Sequence, residues 1–278
     1  MANYTAADVK RLRELTAAGM MDCKKALEEA EGDFDKAVEI IRVKGQAGVK
    51  KREGRSASNG LVTALLDGTT SGVLLELASE TDFVAKSERF QQLAEKVVEQ
   101  VAKAEPADVE GLLGSEVEGG RTVRDLLDDA NAAIGEKIEV RRFARVSGGY
   151  VAAYLHKTSP DLPPQIGVLV AIDRELPTAA KDIAQHVAAL APTYVNRAEV
   201  PAETVESERR IAEATAREEG KPEQALPKIV EGRVSGFFKE NVLVDQAYAK
   251  DQKKTVAAVL AEAGVAVESF VRFRVGQP

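Results

Sequence analysis

Apolar positions in the first fifty residues recur at helical spacing in three short runs. Val9, Leu12 and Leu15 share one face, Cys23, Ala26, Leu27 and Ala30 a second, and Phe34, Ala37, Val38 and Ile41 a third. Thr5, with Asp8 in the first turn, reads as a cap for the first helix, and Asp22 as a cap for the second. Gly32-Asp33 marks a turn, and Gly45 is the expected stop of the third helix. Residues 46–58 then read as a solvated basic linker, with Lys50, Lys51, Arg52 and Arg55 set among Gly48, Gly54, Ser56 and Ser58.

Beyond the linker the period changes. Residues 61–66 and 73–78 are short apolar runs flanking Asp67-Gly68-Thr69-Thr70-Ser71-Gly72, the layout of an antiparallel hairpin. A segment Ser79-Glu80-Thr81-Asp82-Phe83-Val84-Ala85-Lys86 follows, and then a helix with Phe90, Leu93, Ala94, Val97, Val98 and Val101 on one side. The same order returns as apolar runs at 150–155 and 167–172 and a helix carrying Ile183, Ala184, Val187, Ala188 and Leu190. Gly72 and Gly167 open the second strand of each copy, and Ala94/Val97 match Ala184/Val187 in the helices. The pattern is that of a divergent duplication, in which the first copy alone contains Thr81-Asp82-Phe83-Val84.

Charged helix formers dominate residues 203–219, and a second amphipathic stretch covers 226–238 after the break at Gly220-Lys221-Pro222. Together they read as an antiparallel helical hairpin, with Pro227 placed in a first helical turn, where proline is tolerated. The tail reads as a helix around Val256, Val259 and Leu260, and then a strand over 267–275 that returns to the core. The predicted fold class is α+β. A three-helix N-terminal unit occupies residues 1–55 and a first core subdomain 56–147. A second core subdomain is built from 148–200 with 242–278, and the helical hairpin spans 201–241.

The chain has 278 residues and a formal net charge of −7, which disfavours a reader of duplex nucleic acid. No apolar run approaches a membrane span, so no membrane partner is expected and the cytoplasm is the expected location. Cys23 is the only cysteine, which excludes an internal disulfide and a thiolate zinc site. The two histidines, His156 and His186, lack a second ligand at metal-binding spacing. Neither a nucleophile elbow nor a phosphate-cradling glycine loop is present. Several enzyme classes fail together, so no cofactor is expected and a protein that binds another protein is the better reading.

Three segments then carry a family resemblance. They are Thr16-Ala17-Ala18-Gly19-Met20-Met21-Asp22-Cys23-Lys24-Lys25-Ala26-Leu27 with Gly32-Asp33, Thr81-Asp82-Phe83-Val84-Ala85-Lys86, and His186-Val187-Ala188-Ala189 with Pro192 and Val230-Glu231-Gly232-Arg233. In order and spacing the chain resembles the bacterial elongation factor Ts family. The resemblance implies a ubiquitin-associated-like (UBA-like) N-terminal module, a two-subdomain core and a protruding antiparallel coiled coil. It also implies a partner, the GTPase elongation factor Tu, whose GDP release the family promotes before leaving when GTP rebinds.

The resemblance assigns Thr81, Asp82, Phe83 and Val84 to disturbing the partner's Mg²⁺ site. It assigns Met20, Met21, Lys24, Ile166, Gly167 and His186 to further contacts. On the residues alone the plainer readings stay open: Asp82 as a helix cap, Phe83 packed on a sheet, Met20 and Met21 in a bundle core. Ile166 in a strand core, His186 as a satisfied core histidine, and Lys24 with Lys25 on a solvated face are open likewise. At the positions matching an apolar pair of the family, ahead of Lys254-Thr255-Val256, this chain has Ala249-Lys250, and no contact is assigned there. An adaptor without exchange activity and an enzyme with a carboxylate site are the rival classes.

Overall fold

Two strands buried on both faces organise the molecule. The computed structural model describes residues 3–16, 18–52 and 54–277, and for residues 46, 47 and 49–52 the backbone alone. In β2 (Ser71–Ser79), which pairs antiparallel with β1 (Asn59–Asp67), Val73, Leu75 and Leu77 face helix α5 (Glu88–Ala104), while Leu74 faces the opposite way. In β7 (Ile166–Ile172), which pairs antiparallel with β6 (Tyr150–His156), Val168, Val170 and Ile172 face helix α8 (Pro177–Leu190), and Leu169 and Ala171 the other side. Because successive side chains alternate, a strand buried on both sides reads as an unbroken apolar run.

The two three-stranded sheets follow one plan. β5 (Ile138–Ser147) pairs on the far side of β2, giving the order β1-β2-β5. β10 (Val267–Arg274) pairs on the far side of β7, giving β10-β7-β6 and fulfilling the expected return of the tail strand. The sheets pack face to face through Val62, Leu74, Val146, Val151, Leu169, Ala171 and Phe273. Helices cover the outer faces, so the layers run helix, sheet, sheet, helix.

The packing is reciprocal at the two matched glycines. A Cβ on Gly72 would approach Leu169, and a Cβ on Gly167 would approach Leu74 at 2.8 Å and Val62 at 2.4 Å. Each glycine thus makes room for the leucine two residues along the other copy's central strand. Buried in the same layer, Glu76 accepts from Arg142 at 2.8 Å and from the Gly276 amide at 3.0 Å. The Arg142 guanidinium lies 4.4 Å from the Phe273 ring centroid, so the charge is both paired and shielded.

At the N-terminus, α1 (Ala6–Thr16), α2 (Met20–Glu29) and α3 (Phe34–Arg52) enclose Leu12, Cys23, Ala26, Leu27, Ala30, Ala37 and Ile41. The Thr5–Asp8 cap forms in both directions, with the Thr5 amide donating to Asp8 at 2.7 Å and the Asp8 amide to Thr5 at 3.3 Å. Three expectations change. Asp22 does not cap α2; the cap is Gly19, without a side-chain bond, and Asp22 lies in the first turn, where its charge suits the helix dipole. Leu15 is 64 % exposed and lines a cavity of about 360 Å³ between α1, α3 and α7 (Val123–Ile134).

Third, α3 does not stop at Gly45 but runs on to Arg52, replacing the first part of the expected linker. An added Cβ on Gly45 would lie 2.8 Å from Ala132 of α7, so the glycine is a close-approach point between helices rather than a terminator. Arg55 pairs with Glu80 at 3.3 Å; the side chains of Lys50, Lys51 and Arg52 lie outside the described residues.

After α8 the chain forms α9 (Ala202–Glu218) and α10 (Leu226–Asn241), which pack on each other across the break at 219–225. Arg233 reaches back to Glu219 at 2.8 Å, and Ala212, Ala216, Leu226 and Val234 are buried. Pro227 falls in the first turn of α10, as its missing N–H requires. A short hairpin, β8 (Ala247–Tyr248) and β9 (Asp251–Thr255), leads into α11 (Val256–Ala263) and β10. No helix of the described residues is long and apolar enough to cross a membrane.

Candidate functional site

The segment after β2 turns from strand to helix within three residues. Thr81 sits in extended backbone as the N-cap of the short helix α4 (Asp82–Lys86) and accepts from the Val84 amide at 3.5 Å. Asp82 is therefore not the cap. Ser87 closes α4 through its hydroxyl to the Val84 carbonyl at 2.7 Å and opens α5 by accepting from the Phe90 amide at 3.3 Å. Two helices meeting at one serine keep α4 short and fix its direction.

Val84 and Ala85 are buried against the first sheet, whereas Phe83 stands 82 % exposed. The reading that packs Phe83 on the sheet is thereby excluded for the free molecule. A phenylalanine left in water is unfavourable by the area it fails to bury, which is why a large exposed aromatic is informative. Lys86 lies beside the ring, its ammonium 5.8 Å from the centroid. The same ammonium donates to Asp82 at 2.7 Å and holds that carboxyl below the usual carboxylate range. Asp82 is thus ionised at neutral pH beside an exposed aromatic.

Thr81 itself is tied down on every polar atom. Its amide and its hydroxyl both donate to Glu136, at 3.0 and 2.7 Å, and its carbonyl accepts from Ser79 at 2.9 Å. Glu136 and Gln246, described below, were invisible to sequence reasoning. Gly135-Glu136-Lys137 signals a helix end and nothing more, since its partner Thr81 lies 55 residues earlier, at the end of the neighbouring strand β2.

The remaining assigned residues divide by exposure. Met20 and Met21 are 58 and 61 % exposed at the start of α2, outside the bundle core, and Lys24 faces solvent within 4.0 Å of Glu28. Ile166 and Gly167 are buried at the start of β7, between β6 and β10. His186 is buried as well. It is stacked on Tyr248 with centroids 5.9 Å apart; one ring nitrogen is 2.8 Å from Gln246 and the other accepts the Ala249 amide at 3.1 Å. Since Nδ1 accepts, Nε2 carries the proton and donates to Gln246. Lys250 in the same turn pairs with Asp182 of α8 at 2.6 Å. His186 therefore fastens the β8–β9 hairpin to α8.

Burial pushes the His186 imidazole below its usual range, partly offset by the Gln246 bond. The unfolded chain, with an ordinary pKa of about 6.5, then takes up the proton first as pH falls. The stability that neutral His186 provides is complete above that value and is lost as pH drops towards the depressed folded pKa. Thermal unfolding of the wild type should lose more between pH 7 and pH 5 than that of His186→Gln. Equal losses would remove His186 from the pH response.

The fold and this site define a class: an α+β protein that holds an exposed aromatic and a carboxylate on a rigid helix start. Comparison with known proteins then identifies the family. Residues 80–277 match the family model described as elongation factor TS. "Elongation factor Ts" of Streptomyces coelicolor is 64 % identical over 277 residues, covering 99 % of this chain and 100 % of that protein. The namesake of Thermobifida fusca is 61 % identical, covering 100 % of both chains, and that of Acidothermus cellulolyticus 64 %, also covering 100 % of both. The chain belongs to the elongation factor Ts family, a family of protein-biosynthesis elongation factors.

Proposed function

We propose that the protein is the guanine nucleotide exchange factor of elongation factor Tu in the cytoplasm, binding the GDP form and leaving when GTP rebinds. The observation that carries this reading is the exposed Phe83 two residues after a cap that is bonded on every side, within Thr81-Asp82-Phe83-Val84. A GTPase grips its nucleotide through phosphate contacts and Mg²⁺, and a wedge that disturbs either loosens the grip. Phe83 is the wedge, and Asp82 brings a carboxylate that competes with or reorganises the Mg²⁺ ligands.

By linkage, a factor that prefers nucleotide-free partner weakens nucleotide binding by the same ratio. The direction of exchange comes from the surplus of GTP over GDP and not from the factor. Covalent chemistry has no place in this account.

Met20, Met21 and Lys24 form a second contact on the UBA-like N-terminal module, where flexible thioethers adapt to a partner surface. Met20→Ala/Met21→Ala should raise the concentration for half-maximal exchange ~5-fold, equivalent to roughly 1 kcal/mol, without changing the melting temperature. A coincident loss of melting temperature would make these side chains structural instead. In this reading α9 and α10 are the protruding coiled coil. The domain division is 1–55, 56–147, 148–200 with 242–278, and 201–241. His186, Ile166 and Gly167 support the partner surface from within.

The direct test is release of a fluorescent GDP analogue from elongation factor Tu by stopped flow, with and without the protein. Acceleration upholds the exchange reading. No acceleration would leave an adaptor on this fold.

A further inference from the structure

The carboxylate of Glu136 is the one group that holds both polar hydrogens of Thr81, the amide at 3.0 Å and the hydroxyl at 2.7 Å. With its hydroxyl proton directed at Glu136, Thr81 Oγ1 turns a lone pair to the Val84 amide and so caps α4. Glu136 is itself fixed from both sides. Gly135, in the left-handed region at φ 83°, ends α7 one residue before it. Two residues after it, Ile138 exchanges both backbone hydrogen bonds with the buried side chain of Asn131, at 2.6 and 3.1 Å.

The stitching is reciprocal. Glu80 accepts from the Lys137 amide at 2.6 Å while Glu136 accepts from Thr81. The two chain segments thus stay joined one step past the last ladder pair, Ser79–Ile138. Together with the Ser87 junction and the burial of Val84 and Ala85, this clamp sets the pose of Phe83, which is 82 % exposed and leaves the chain two positions after Thr81.

From this geometry we infer that Glu136 is a positioning residue for Phe83: it pre-orients the exposed anchor through the Thr81 cap and never touches the partner. The inference rests on the exchange reading above. Its chemistry is a charged acceptor receiving two donors from one residue, a stronger and more directional clamp than a neutral group provides. Pre-orientation lowers the ordering cost of binding, so its loss appears in the exchange reaction.

The experiment is a double-mutant cycle in the full chain with Glu136→Ala, Phe83→Ala and both, read by stopped-flow release of fluorescent GDP from elongation factor Tu. Glu136→Ala should reduce the acceleration roughly tenfold on its own and cause almost no further loss when Phe83 is already alanine. Glu136→Gln, which keeps one acceptor, should fall between Ala and wild type. In the free protein, amide hydrogen exchange at Val84 and Ala85 should speed up in Glu136→Ala while the strands β1 and β2 stay protected.

Additive losses in the cycle would overturn the inference, as would unaltered exchange at Val84 and Ala85. If the wild type itself fails to accelerate release, the exchange reading falls. The hydrogen-exchange measurement on the free protein still decides whether Glu136 positions the segment.

Discussion

Phe83→Ala should lower the acceleration of GDP release from elongation factor Tu by ~30-fold while leaving the melting temperature within experimental error. The size follows from treating an exposed aromatic anchor as an interface hot spot worth roughly 2 kcal/mol, with about 1.4 kcal/mol per factor of ten. The second half of the expectation follows from exposure. Phe83 is 82 % exposed, so its truncation opens no cavity and removes only a solvent-side ring contact with Lys86. Surface substitutions of that kind stay within about 0.5 kcal/mol of neutral. Val84, the next residue, behaves oppositely because it is buried, and Val84→Ala should cost stability. A Phe83→Ala protein that exchanges nucleotide at the wild-type rate would remove the wedge from the mechanism and move it to the contacts around Met20 and Met21.

Gly167→Ala should lower stability by about 2 kcal/mol, near the middle of the range for overpacking a filled core, and Gly167→Val by more. The new Cβ would stand 2.4 Å from Val62 Cγ1, 2.8 Å from Leu74 Cδ1 and 3.1 Å from Leu155 Cδ2. Val62 is β-branched and buried in β1, so it has few rotamers in which to yield. Gly72→Ala is the control. Its nearest neighbour is the tip of Leu66 at 2.9 Å, and Leu66 is partly exposed and free to swing outward.

The melting temperature of Gly167→Ala should accordingly drop by several degrees, and that of Gly72→Ala by less. Equal drops at the two sites would mean that the sheets slide to accommodate either change. The same variant weighs the family's assignment of Gly167 to the partner surface. Exchange lost in proportion to unfolded protein marks a core residue, whereas exchange lost by fully folded protein marks an interface residue.

Local chemistry made some of this molecule legible in advance. The Thr5–Asp8 cap, the β1–β2 turn and Pro227 in the first turn of α10 rest on interactions between residues a few positions apart, and periodicity or residue type announces such features. The apolar runs of β2 and β7 were readable for the same reason. The order of Thr81-Asp82-Phe83-Val84 and the methionine pair was readable because resemblance works on sequence order.

β5 was not legible. Its alternation loses phase at the bulge between Val140 and Arg142, and Arg141, Arg142 and Arg145 sit in a strand because their heads find partners at Ala57, Glu76 and Val101. Gly45 reads as a helix stop and becomes a helix crossing, since the deciding atom, the Ala132 methyl, is far away in the chain.

By itself the sequence determined the helix faces, the apolar strand runs, the doubled plan of strand, strand and helix, and the place of Thr81-Asp82-Phe83-Val84 between a strand and a helix. Faces and runs depend on neighbours within a few residues, and the doubling shows as self-similarity along the chain. Only the tertiary structure decided which assigned residues face water and which do not: Phe83, Met20 and Met21 outward, His186, Ile166 and Gly167 inward. It alone joined Glu136 to Thr81, His186 to the β8–β9 turn and Gly72 to Leu169. The reason is that burial and long-range hydrogen bonds are set by surfaces meeting across the core, and those surfaces exist only once both sheets have formed.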